Sequence, residues 1–163
     1  MRATRFNHLS ISARNLEESV LFYEEMFGLE RIATYDFGFK TRYLRCGPQQ
    51  LHIFELEDSV PVRQHFAFDV DDFEAVYRAA KARGVLEHAT FHNCMYELPD
   101  GAVQMYLRDP AGHLVEVDWP DVSTLDRSAL PELKKLNDRV PQTGEALEAT
   151  LYLDRRRSGV PAG

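Results

Sequence analysis

The chain is short of cysteine, of long apolar runs and of clustered positive charge, and each shortage closes a class of function. Two cysteines among 163 residues, Cys46 and Cys94, cannot build a disulfide scaffold, and they lack the C-x-x-C spacing of a zinc ribbon or redox pair. They fit a reducing compartment, so a cytoplasmic location is expected. No apolar run approaches the ~20 residues of a membrane-spanning helix, and Met1-Arg2-Ala3-Thr4 leads into no signal-peptide core, so no membrane partner is expected. Nineteen Lys and Arg against 26 Asp and Glu leave a formal net charge of −7, and the largest basic block is Arg155-Arg156-Arg157. A phosphate backbone demands clustered cations, so no nucleic-acid partner is expected either. What is present, 44% hydrophobic and 28% charged residues, is the balance of one globular domain with a sizeable core. Six histidines carry the chemical information.

Hydrophobic periodicity lays out one plan twice. Residues 5–13 alternate, with Phe6, His8, Ser10 and Ser12 on one face and Leu9, Ile11 and Ala13 on the other, which predicts a half-buried strand. Asn15 with Glu18 forms a helix-capping box, and Leu16, Val20, Tyr23 and Phe27 recur at helical spacing until Gly28. Strands are predicted at 30–36, 40–45 and 50–56, parted by Phe37-Gly38-Phe39 and Cys46-Gly47-Pro48 turns. The second half repeats the order. A strand over 63–70 carries His65, Ala67 and Asp69 on one face, and Asp71 with Glu74 reads as the next capping box. Phe73, Val76, Tyr77 and Ala80 form a helical stripe ending before Gly84. Strands are then predicted at 85–91, 102–108 and 113–118, with Asp109-Pro110-Ala111-Gly112 as the tight turn before the last.

Sliding the chain on itself by 57 residues places His8 on His65, Asn15 on Asp72, Leu16 on Phe73 and Glu17 on Glu74. This internal duplication predicts a domain over 1–120, with one module over about 5–58 and the other over about 62–120. After Trp119-Pro120 the pattern stops. Residues 121–163 read as a C-terminal extension with a short helix over 129–136, a strand over 149–153 and a frayed end from 158.

The duplication singles out four residues. His8 and His65 open equivalent strands, while His52 and Glu116 sit in the last strand of each half. A lone strand histidine is ordinarily a hydrogen-bonded interior or edge residue. Four residues at matching positions of a repeated unit instead predict a site for a first-row divalent metal, since imidazole and carboxylate suit Fe(II), Mn, Zn, Ni or Co.

Four stretches carry a resemblance: Phe6-Asn7-His8-Leu9-Ser10-Ile11, Leu21-Phe22-Tyr23-Glu24-Glu25-Met26-Phe27-Gly28-Leu29, Gln64-His65-Phe66-Ala67-Phe68, and Tyr106-Leu107-Arg108-Asp109-Pro110-Ala111-Gly112-His113-Leu114-Val115-Glu116. Together they resemble the vicinal oxygen chelate superfamily of glyoxalases, fosfomycin-resistance proteins and extradiol dioxygenases, over roughly residues 5–120. The resemblance implies an α+β fold in which two paired βαβββ modules form a curved mixed sheet around a metal cavity. It also implies that the metal binds vicinal oxygens of a small-molecule substrate, and that its ligands are His8, His65 and Glu116.

The subfamily is less determined. Where glyoxalase I carries a glutamate ligand and base, this chain has His52. Extradiol ring-cleaving enzymes have histidines where this chain has Gln49-Gln50 and Gly101. Fosfomycin-modifying members use a lysine and a potassium loop, for which His92-Asn93-Cys94-Met95-Tyr96 offers no lysine. Members that only sequester antibiotics lack the metal ligands. Three readings stay open. The first is an oxygenase-type reaction on a small aromatic or enediol substrate, for which a two-histidine, one-carboxylate Fe(II) site with open positions is suited. The second is a glyoxalase-like lyase or isomerase on a hydroxy-carbonyl substrate, favoured if His52 is a fourth ligand. The third is a small-molecule-binding resistance protein. Outside the metal's shell, His52 would be a general acid-base, its pKa lying near operating pH. Tyr43, Phe54, His92 and Tyr96 are predicted to line the substrate pocket, with Phe6 and Phe39 at its mouth, and His88 reads as an exposed loop residue. Two modules leave sheet edges open, which predicts a homodimer in which the extension covers part of the interface or pocket mouth, or packs only on its own domain.

Overall fold

Alternating sequence becomes strand, and the two amphipathic stripes become helices, in the order the duplication predicts. The structure, a computed structural model, describes residues 6–58 and 60–153. The chain divides into two compact units, residues 1–64 with 108–113 and residues 65–107 with 114–163.

In the first unit β1 (His8–Ala13), α1 (Leu16–Phe27), β2 (Glu30–Ile32), β3 (Thr41–Cys46) and β4 (Gln49–Glu55) give a mixed sheet of order β1-β4-β3-β2. β1 runs parallel to β4 and places Ser10 beside His52 and His8 beside Gln50, while antiparallel β3 places Tyr43 on the other side of His52. Because side chains alternate, one face carries His8, His52, Tyr43 and Phe54. The other face holds the buried Ile11, Ala13, Leu44, Leu51 and Ile53, and α1 packs against β3 and β4 with Val20, Phe22, Tyr23 and Met26 buried. Each of the larger aliphatic and aromatic side chains contributes on the order of 1.5–3 kcal/mol by leaving water. Asn15 starts α1 by accepting from the Glu18 N–H, and Gly28 stops it at φ 63°, a left-handed turn that suits glycine. The 109–113 turn belongs to this unit. Buried Asp109 accepts from the Tyr23 hydroxyl at 2.7 Å and from the His113 N–H at 2.7 Å, and the His113 ring donates through Nε2 to the Ser12 carbonyl at 2.7 Å.

In the second unit β5 (His65–Asp69), α2 (Phe73–Arg83), β6 (Met95–Glu97), β7 (Val103–Arg108), β8 (Leu114–Trp119) and β9 (Lys134–Lys135) give the order β5-β8-β7-β6-β9, with β5 parallel to β8. The first four strands of this sheet repeat the order of the other. Two local expectations are corrected. The cap of α2 is Asp72, whose carboxylate accepts from the Ala75 N–H at 2.8 Å, and not Asp71, which lies one residue too far out to reach the first turn. Residues 85–91 are not a strand: only Leu86 bridges to Leu107, and pairing along β7 resumes at β6. Between them the Glu87 carboxylate accepts from the Ala89 and Thr90 N–H groups, and His92 takes a left-handed φ of 66°, so the backbone turns on itself.

The extension also departs from expectation. Instead of a helix over 129–136 there is a 3-10 turn at Arg127–Ala129, then β9 laid parallel along β6, then α3 (Leu136–Arg139). Pro131 removes a helical donor, and the Asn93 side chain donates to the Glu132 carbonyl at 2.8 Å, which draws the segment to the sheet edge. Residues 149–153 form no strand; the Tyr152 N–H turns to the Thr150 hydroxyl and its own hydroxyl reaches Asp69 at 2.9 Å. The end from residue 158 lies outside the described residues. Of the extension's leucines, Leu130 is buried and Leu147 and Leu151 are exposed.

Candidate metal centre and substrate face

In the first unit three rings form a stack. His8 lies over His52 with centroids 4.3 Å apart and planes 11° apart, and His52 lies over Tyr43 at 3.5 Å and 7°. Strand register allows this, since β3 sets Tyr43 opposite His52 and β1 sets His8 diagonal to it on the same face. Each histidine has one nitrogen engaged by a neighbouring amide. His8 donates through Nδ1 to Asn7 Oδ1 at 3.0 Å, which leaves the Nε2 lone pair available; His52 donates through Nε2 to Gln50 Oε1 at 2.8 Å, which leaves Nδ1. Burial, helped by the neighbouring His8, holds the His52 pKa below its ordinary value, so this ring is neutral near pH 7. Phe54 lies on the same face, at the far end of β4. Beside Gln50 opens a groove of about 570 Å³, lined by Ile32, Arg45, Gly47 and Gln49 among others.

In the second unit the centre is Glu116, buried on β8. His65 Nε2 lies 3.0 Å from its Oε2, and the Gln104 amide donates to its Oε1 at 2.6 Å. Burial first, then the charge and hydrogen bond of Glu116, push the Tyr106 phenol well above its ordinary range. Two residues along the strand, buried Asp118 is pushed up to about 9 by burial, by the charge and hydrogen bond of Glu116 and by Asp69, so it is protonated near neutrality. Its Oδ1 has no hydrogen-bond partner among the described residues. Tyr96, the cross-strand partner of Gln104, shares this face, and its hydroxyl donates to the Phe91 carbonyl.

The donor types fit a first-row divalent ion. His65 Nε2 and Glu116 Oε2, 3.0 Å apart, are close enough that both would hold one ion. His8 gives its other ring N–H to a carbonyl oxygen, as metal-binding histidines do. Among the described residues no three histidine, cysteine, aspartate or glutamate side chains are grouped to hold a metal, so each unit presents a pair of donors and not a finished site.

The structure therefore brings His8, His52, Tyr43 and Phe54 to one face of the first sheet, and His65, Glu116 and Tyr96 to one face of the second. Phe6 is exposed ahead of β1, and His92 is exposed on the loop before β6. Sequence reasoning missed Gln50, Gln104, Tyr106 and Asp118. A period of two counted outward from His52 and Glu116 points to Gln50 and Asp118, and the pair Gln104 and Tyr106 shows the same alternation.

The profile of the Glyoxalase/Bleomycin resistance protein/Dioxygenase superfamily matches residues 5–117. The chain is 29% identical over 119 residues to a glutathione transferase FosA of Serratia marcescens, a match covering 68% of this chain and 77% of that protein. Its fold is similar to that of a lactoylglutathione lyase from Agrobacterium tumefaciens, with a TM-score of 0.55 and 24% identity over 72% of this chain and 95% of the other. It is similar too to the oxidase ChaP-H2, with a TM-score of 0.59 and 21% identity over 74% and 99% of the two chains. With its βαβββ order repeated and a profile match over most of its length, the chain belongs to the glyoxalase, bleomycin resistance protein and dioxygenase superfamily, the vicinal oxygen chelate group.

Proposed function

We propose that the chain is a divalent-metal-dependent enzyme whose substrate is held through vicinal oxygens, and that its reaction is of the oxygenase type on a small aromatic or enediol substrate. The observation that carries this is the His65–Glu116 pair at 3.0 Å, with Glu116 buried and held by Gln104. His8, His65 and Glu116 are the ligands, Fe(II) the first metal to test, and Mn, Zn, Ni or Co the alternatives. Bound there, the ion supplies Lewis-acid polarisation of the substrate oxygens and, as iron, access to O₂. His52 is the fourth ligand or the acid-base group. As acid-base group it works through Nδ1: kept neutral by burial, oriented by Gln50 and flanked by Tyr43, it can take a proton from a substrate hydroxyl and return it. The ligands come from the two units of one chain or from two chains of a symmetric homodimer. The free Cys46 and Cys94 accord with work in a reducing cytoplasm.

The similarity to a glutathione transferase favours a second reading, metal-assisted reaction of a thiol or thiol adduct with a small electrophile, which includes a glyoxalase-like lyase. Metal analysis of protein purified without oxygen separates the two. Iron with substrate-dependent O₂ uptake supports the oxygenase, nickel or zinc without O₂ uptake supports the second reading, and protein that takes up no divalent metal overturns both.

A further inference from the structure

The loop between β2 and β3 puts three aromatic side chains into the open. Tyr35 is 77% exposed, Phe37 50% and Phe39 44%, within five consecutive residues. Contiguous apolar surface of this kind is uncommon on a protein unless it receives something. The rings form one cluster. Phe37 is its hub, with centroids 6.4 Å from Tyr35, 6.1 Å from Phe39, 6.5 Å from Tyr43 and 6.5 Å from Phe54, and Phe39 meets Phe54 at 5.7 Å. Through buried Tyr43 the cluster joins the His52 stack, so ring contacts run from the exposed aromatics to the candidate acid-base group.

The arrangement is built. Asp36 Oδ1 accepts from the Gly38 N–H at 2.8 Å, and Gly38 takes a left-handed φ of 78°, which turns the backbone so that Phe37 and Phe39 stand side by side with planes 28° apart. Both roots of the loop are fastened. Thr34 Oγ1 accepts from the Tyr43 N–H at 3.0 Å, and the Lys40 carbonyl accepts from the Glu55 N–H at 2.9 Å beside a Lys40–Glu55 ion pair. A fastened wall of ring faces and edges binds a flat ring by offset stacking and edge-to-face contact, and offers no such gain to a saturated one.

We infer that Tyr35, Phe37, Phe39 and Phe54 form a recognition wall for a planar aromatic substrate, whose ring lies against them while its vicinal oxygens reach towards His52. This rests on the proposed function only for the vicinal oxygens; the preference for a flat ring stands on the wall itself. A second copy of the chain is the rival occupant of the same surface.

Protein stripped of metal with a chelator is titrated calorimetrically with 2,3-dihydroxynaphthalene and with cyclohexane-1,2-diol, which share vicinal oxygens and differ in planarity. The naphthalenediol is expected to bind about tenfold or more tightly than the cyclohexanediol, one such ring contact being worth about that factor. Exchanging Phe37→Ala together with Phe39→Ala should weaken naphthalenediol binding about tenfold with the circular dichroism unchanged, and Phe37→Tyr with Phe39→Tyr should restore it. Equal binding of the two diols overturns the inference. So does an alanine double variant that binds as the parent does, and so does one that turns dimer into monomer with naphthalenediol binding unchanged, since the rings then serve a second copy. Metal uptake measured on the same protein before chelation and after reloading separates this from the proposed function. Metal uptake without ring preference overturns the wall alone, and ring preference without metal uptake upholds the wall and overturns the metal enzyme.

Discussion

At the scale of single residues, capping and buried hydrogen bonds make the sharpest expectations. Asp72 and Asp71 stand next to each other and carry the same charge, yet only Asp72 reaches the Ala75 N–H. Asp72→Ala should cost about 1 kcal/mol in urea unfolding and Asp71→Ala close to nothing, because only the first leaves a helix donor unsatisfied. Equal losses would mean that charge at the N-terminus of α2, and not the cap, is what matters. Tyr23 is wholly buried with its hydroxyl on Asp109, whose pKa burial has raised. Tyr23→Phe removes one partner and leaves a buried carboxyl group short of a donor, so it should destabilise by about 1–3 kcal/mol. A loss smaller than that of an exposed substitution such as Tyr35→Phe would contradict the importance of this bond.

At the scale of elements, the extension is clamped to α2 by a small network. Tyr77 donates to Glu132, and Lys81 donates to the Tyr77 hydroxyl at 2.8 Å and to Glu132 at 2.9 Å. Burial works against the charged Glu132, but the Tyr77 and Lys81 hydrogen bonds outweigh it and leave its pKa below the ordinary 4.5. A carboxyl group with a lowered folded pKa stabilises the fold fully above its unfolded value and loses that contribution as pH falls through the folded one. The urea midpoint of the parent should therefore exceed that of Glu132→Gln near pH 6, and the gap should shrink as pH falls below about 4.5. A gap independent of pH would show that the charge contributes nothing. Both capped helices and most strands were legible in the sequence, because an alternating or 3.6-residue pattern states which face is buried. The split edge at Leu86 and Met95 was not. Its residues are apolar enough for a strand, and what breaks it is a side-chain turn made by Glu87 and a left-handed His92, which periodicity does not register. β9 was hidden for a related reason, since two lysines pair along β6 through backbone alone.

At the scale of the whole molecule, duplication explains both what the sequence disclosed and what it withheld. Matching positions in two repeats singled out His8, His65, His52 and Glu116, and superfamily membership follows from the same pattern. The neighbours that orient them, Gln50 and Gln104, carry only the weak signal of a period of two, because glutamine is common on strand faces. β9 covers the β6 edge of the second sheet, whereas among the described residues no further strand pairs beyond the three-residue β2 of the first. A homodimer is the expected assembly, and light scattering at micromolar concentration should give twice the 18.8 kDa chain mass. A single-chain mass with metal bound would show that each chain completes its own site. The central claim is that His8, His65 and Glu116 together hold one divalent metal, and metal stoichiometry after exhaustive dialysis tests it most directly. The parent should retain one metal per site, while His8→Ala, His65→Ala and Glu116→Gln should each lose it, since removing one ligand weakens such a site by orders of magnitude. Stoichiometric metal retained by both His65→Ala and Glu116→Gln would contradict the assignment.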